Sequence, residues 1–143
     1  MEIEFAFLAD AADSPQNGKL YVLGAGLSEL MAHHVPIQHP TMSVVVCLKV
    51  HPTECNRTHR LEVEMWDEDG NRLPPSLNAE FVAQRHPQYP NRPTFVQLVW
   101  NILGLELQQV GEYEFHIIVN GQHLRTLPLY VSVPPPQQLT LAP

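Results

Sequence analysis

Fourteen prolines and seven glycines are scattered along this 143-residue chain, and they constrain its fold more than any other feature. A proline inside a helix removes a hydrogen bond and clashes with the preceding turn. Breaks this frequent disfavour long helices and favour short extended segments. Between the breaks the apolar residues alternate, as strands with one buried face require. Ile3, Phe5 and Phe7 form one such set, Met42, Val44, Val46, Leu48 and Val50 a second, and Leu61, Val63 and Met65 a third.

The pattern predicts about eight strands, near residues 2–9, 19–31, 41–51, 58–67, 72–84 with a break at Pro74-Pro75, 94–105, 112–119 and 122–133. Asp67-Glu68-Asp69-Gly70-Asn71 and Asn120-Gly121 lie between alternating runs and carry the residues that tight hairpin turns demand. No βαβ unit is visible, so the pairing should be antiparallel. The expected fold is all-β: an antiparallel two-sheet β-sandwich of immunoglobulin-like type. Gly111-Glu112-Tyr113-Glu114-Phe115 sharpens that expectation. In such sandwiches a Tyr two residues before a core position bonds back to the preceding corner, and Tyr113 and Phe115 stand in that relation.

A chain of this size buries roughly 70% of its unfolded surface and needs neither disulfide nor metal to be stable. We read residues 1–133 as one sandwich domain and 134–143, opening with Pro134-Pro135-Pro136, as an extended proline-rich tail. The net charge of −7, with only 8 Lys and Arg, would repel a phosphate backbone and speaks against a nucleic-acid partner. Glu2 and Glu4 stand where a signal peptide would carry bases, and no apolar run nears the ~20 residues of a membrane span, so a cytoplasmic protein without membrane contact is expected. Cys47 and Cys55 are too few for a disulfide framework and read as free thiols.

Few residues suggest chemistry. Gly24-Ala25-Gly26 opens like a dinucleotide loop but lacks the third Gly, and Pro36 follows too soon for the phosphate-binding helix; these glycines read as a bend, and no cofactor is expected. Among eight histidines, His51 ends a strand and His59 starts the next, with Cys55 in the turn between them. If successive strands cross the whole sandwich, loops 10–18, 52–57, 85–93 and 120–121 share one end. That end would collect the candidate metal ligands His51, Cys55, His59 and His86, together with His123, Asp10 and Asp13. The other end would gather His33, His34, His39 and the Asp67 turn.

No serine lies in a nucleophile elbow and the Asp67 acids are explained by their turn, so no catalytic residue is assigned. Trp100 reads as core. Trp66 falls on the face opposite Leu61, Val63 and Met65 and is the candidate for contact with a partner or a second copy.

The chain resembles a family of small, uncharacterised bacterial proteins known as a domain of unknown function. The matching stretches are Phe7-Leu8-Ala9-Asp10-Ala11-Ala12, Gly18-Lys19-Leu20 with Gly24, His39-Pro40, the Asp67–Gly70 turn with Leu73-Pro74, Gly111 to Phe115, Asn120-Gly121 and Leu127-Pro128-Leu129. The resemblance implies a bacterial cytoplasmic protein and brings no activity with it. The expected function is a non-enzymatic protein-interaction or scaffolding module that binds another protein or itself as a homodimer. The alternatives are a small-ligand or metal-binding sandwich using one loop end, and a hydrolase with a loop-borne site.

Overall fold

A computed structural model of the chain describes residues 1–15 and 18–135. Among these described residues it is all-β, with ten strands and a single 3₁₀ turn at Pro52–Glu54. The strands are β1 (Glu2–Ala9), β2 (Ala11–Asp13), β3 (Tyr21–Leu23), β4 (Glu29–Met31), β5 (Ile37–Val50), β6 (Thr58–Trp66), β7 (Arg72–Val82), β8 (Thr94–Leu107), β9 (Gly111–Val119) and β10 (Gln122–Ser132). Three form a small sheet in the order β1-β5-β8, and five form a large sheet in the order β4-β10-β9-β6-β7. The two sheets pack around one core, and β2 and β3 form a separate antiparallel pair. The tail from residue 136 onward, expected to run as an extended polyproline segment, lies outside the described residues.

The alternating residues make the core as their periodicity requires. Met42, Val44, Val46 and Leu48 of β5 face Leu61, Val63 and Met65 of β6 and Phe115 and Ile117 of β9 in one buried cluster. Removing such side chains from water is the main stabilising term, at roughly 1.5–3 kcal/mol for each large one. Tyr113 closes the corner before β9. Its hydroxyl donates to the Gln109 carbonyl at 2.7 Å and accepts from the Gln109 amide at 3.2 Å, so the buried phenol is fully satisfied.

The structure corrects several expectations. The strand expected at 19–31 is two three-residue strands, β3 and β4, separated by the turn at Gly24 and Gly26, both of which have positive φ. β4 runs parallel to β10, so the pairing is not antiparallel throughout. Ile3 does not share a face with Phe5 and Phe7. A bulge between Ile3 and Phe5 absorbs Glu4, sending Ile3 inward with Ala6 and Leu8 while Phe5 and Phe7 point outward, their rings stacked at 5.9 Å. Gly104 reverses alternation on β8 without a register shift against β5. Its φ of +65° turns the chain so that Leu105 and Leu107, two and four residues after outward-facing Leu103, enter the core.

After Ala9 the chain does not cross to a new strand at the far end but folds back. The β2–β3 pair lies against the outer side of the small sheet, in contact with β5 and β8, and the Ser14 hydroxyl reaches the Gln97 amide oxygen at 3.4 Å. This lid explains the most unusual strand in the molecule. Ser43, Val45 and Cys47 point away from the core, yet they are as buried as the core residues between them.

Candidate functional site

The end of the molecule that holds the 3₁₀ turn is built for structure. Glu54 closes that turn: its carboxylate accepts from the His51 amide at 3.2 Å and meets the Met1 ammonium at 2.7 Å. Partial burial alone would raise the Glu54 carboxyl. The hydrogen bonds from the ammonium and from His51, with their charge, outweigh it and hold the group below the usual glutamate range.

His59 is buried and fully engaged. Its Nε2–H donates to the Glu54 carbonyl at 2.7 Å, which fixes the tautomer, and its Nδ1 accepts from the Asn120 amide at 2.9 Å. With both nitrogens in hydrogen bonds, the ring has no lone pair left for a metal. Cys55 turns its sulfur to the His51 carbonyl and the Thr94 hydroxyl, and His86 Nδ1 accepts from the amides of Gln88 and Tyr89. Among the described residues no group of three or more His, Cys, Asp or Glu side chains is placed to hold a metal ion, so His51, Cys55, His59 and His86 do not form the expected cluster. Asp10 is not part of this end either, since Ala9 before it pairs with Ser43. Asp10 lies against Gly24, where a Cβ would come within 2.3 Å of its carboxylate, so Gly24 is needed for this close approach.

The opposite end gathers the Asp67 turn and the Gly111 corner. Asp67 Oδ1 accepts from the amides of Asn71 at 2.8 Å and Asp69 at 3.0 Å, and Oδ2 from the Asn71 side chain at 3.2 Å. These bonds, led by that from the Asn71 amide, hold its carboxyl below the usual aspartate range. Glu68 folds over Gly111, where any Cβ would collide with its carboxylate at 2.8 Å. The recess between these turns is about 110 Å³, well below the ~300 Å³ where small-molecule sites begin.

Trp66 stands on the outer side of the large sheet, half-buried. Its indole N–H donates to Glu64 at 3.1 Å and its ring lies 5.9 Å from that of His116, which is itself bonded to Glu114 at 2.7 Å. Around it this exterior carries Arg60, Glu62, Arg72, Glu112 and Glu114, several of them in ion pairs. It is a solvated, charged face.

The outer side of the small sheet is different in kind. Phe95 is 52% exposed and Leu103 76% at either end of β8, and Tyr21 at 53% and Leu23 at 72% stand on the outward side of the β2–β3 lid. An open groove of about 470 Å³ runs along that lid, lined mainly by Ala11, Ala12, Leu20, Tyr21, Val22 and Leu23. Half-buried Phe5, Phe7 and Val99 continue the same exterior. Beneath it the Cys47 thiol is pushed up to about 11 by burial, with the Glu4 carboxylate adding to the effect. Sequence reasoning missed this surface. Its signal was the unbroken run Val44-Val45-Val46-Cys47-Leu48, which indicates a strand buried on both faces.

A family model described as a family of unknown function, DUF6941, matches residues 4–132. The chain belongs to that family. A search of curated proteins found no match. Among solved structures, the crystal structure of a β-glucosidase from Listeria innocua in complex with glucose is similar over 74% of this chain, with 9% identity and a TM-score of 0.49. The chain spans about 15% of that protein's length, and a likeness this weak says nothing of activity. Membership of DUF6941 agrees with the resemblance on sequence and assigns no reaction. Among the described residues no helix is long and apolar enough to cross a membrane.

Proposed function

We propose that this DUF6941 chain is a non-enzymatic protein-interaction module of the bacterial cytoplasm, built as an immunoglobulin-like sandwich, and that its contact surface is the outer side of the small sheet with its lid. One observation carries this: Tyr21, Leu23, Phe95 and Leu103 are exposed by half or more on the side of the small sheet and its lid, whereas on the large sheet the exposed Met31 and Val82 stand on the two edge strands, with Glu29 and Glu80. Large apolar side chains gathered on one surface cost free energy in water, and a partner that covers them recovers roughly 25 cal/mol per Å² of apolar area. The Tyr113 corner supports the immunoglobulin-like reading. Trp66 is the weaker contact candidate, because Glu64 and His116 already occupy its N–H and one edge of its ring.

Site-specific photocrosslinking in the native host tests the surface. A photoreactive residue at Leu23 should yield a discrete protein adduct, and one at Glu62 on the large sheet should yield none. Adducts from Glu62 with none from Leu23 would reject the proposal.

A further inference from the structure

β8 is an edge strand. β5 pairs it along one side, and among the described residues no strand pairs it along the other. Such an edge presents a row of free N–H and C=O groups, and proteins ordinarily guard it with prolines, charges, bulges or brevity. The other edges of the two sheets are guarded in these ways: β7 carries Pro74 and Pro75, β1 carries Glu2, Glu4 and a bulge, and β4 has three residues. β8 has no charge and no proline between Thr94 and Gly104.

Its inward side chains show where cover is lacking. Val96, Leu98 and Trp100 face the core yet remain half-buried, whereas their β5 partners Leu48, Val46 and Val44 are completely buried. The core is open on the flank that β8 presents.

The sequence of β8 is symmetric about Val99. On the outer side Val99 is flanked by the amides Gln97 and Asn101, and then by the exposed apolar pair Phe95 and Leu103. On the inner side Leu98 and Trp100 are followed by Val96 and Ile102. A strand that pairs antiparallel with its own copy needs this property, because a two-fold axis sets residue i against j and j against i.

We propose that β8 pairs antiparallel with β8 of a second copy of this chain, about a two-fold axis through Val99. Phe95 then faces the copy's Leu103, and Gln97 faces the copy's Asn101. Two chains of net charge −7 meet along a segment where neither carries charge. The small sheets fuse into one sheet of six strands, ordered β1-β5-β8 and then β8-β5-β1 of the copy, and their apolar exteriors become continuous. This inference rests on the interaction-module reading and names its first partner as the chain itself.

Sedimentation equilibrium of the full chain over a wide concentration range tests the pairing. The wild type should have twice the chain mass. Val99→Lys and Val99→Asp each set like charges opposite one another at the axis, so each alone should fall to the monomer mass, while an equal mixture of the two should regain the dimer. Val99→Cys keeps the test sharp if a charged variant fails to fold. Facing residues of antiparallel strands have Cα atoms ~4.5–5.5 Å apart, within disulfide reach, so Val99→Cys should form a covalent dimer without reductant and Gln97→Cys much less of one. A monomeric wild type, or a dimer that survives both charged variants while Val99→Cys stays uncrosslinked, would overturn the pairing. A monomer that still crosslinks to another protein from Leu23 would overturn only the pairing and leave the interaction reading standing.

Discussion

The outer sides of the two sheets obey the same period-two rule and arrive at opposite surfaces. On the large sheet, residues between the core positions of β6 and β9 are Glu62, Glu64, Trp66, Glu114, His116 and Ile118, so the exterior is charged and solvated. On the small sheet, residues between the core positions of β5 are Ser43, Val45, Cys47 and, near its end, Lys49, which pairs with Glu2; Phe5 and Phe7 stand beside them on β1 and Val99 on β8. Folding buries this second apolar layer only under the short β2–β3 lid, which leaves Phe95 and Leu103 uncovered.

The largest effect should come from charging the hidden layer. Val45→Asp puts a carboxylate where there is no solvent access, and an uncompensated buried charge costs ~3–5 kcal/mol. Ile118→Asp, at the corresponding outer side of β9, should cost ~1 kcal/mol or less. Urea denaturation of the two variants measures the contrast, and equal losses would abolish the distinction between the faces. The large sheet depends instead on its corner. Tyr113→Phe removes the hydroxyl that both donates to and accepts from Gln109, which should lower stability by ~1–2 kcal/mol in the same assay.

Titration should separate the two regions with smaller effects. The Cys47 thiol is raised to about 11 from 9.0 by burial, so the folded state holds this proton more tightly than the unfolded chain does. Stability from this source is complete below pH 9 and declines as pH rises towards 11. Denaturation midpoints should fall across that interval in the wild type and stay flatter in Cys47→Ala. Asp67 behaves in the opposite sense. Its carboxyl is held below the ordinary 3.8, so its contribution is present above that value and is lost as pH falls further. Asp67→Ala should remove part of the acid sensitivity, the smallest effect of the four because the turn is exposed to solvent.

Much of this was legible in the residues. Seven of the expected strands match β1 and β5 to β10 to within a few residues, because their alternation and turn chemistry are local, although the break expected at Pro74-Pro75 is a register shift inside one continuous β7. Tyr113 bonded as its position before Phe115 indicated. What escaped depends on single backbone irregularities and on tertiary contacts. The bulge at Glu4 and the positive φ of Gly104 each shift the alternation by one residue, and one residue exchanges the two faces of a strand. β2, β3 and β4 have three residues each, too few to show a period, and β4 pairs with β10 from far along the chain. The loop-end histidines failed as a cluster because His59 spends both nitrogens on its neighbours, and β1 runs antiparallel to β5, which sets Ala9 opposite Ser43 and so carries Asp10 away from His51.

Sedimentation velocity on three proteins side by side would decide which exterior makes contact: the wild type, Leu103→Asp on the small sheet and Trp66→Asp on the large one. We expect the wild type and Trp66→Asp to sediment as the same dimer and Leu103→Asp to shift to the monomer. A monomeric Trp66→Asp beside a dimeric Leu103→Asp would move the contact surface to the charged face and refute the assignment made from the apolar one.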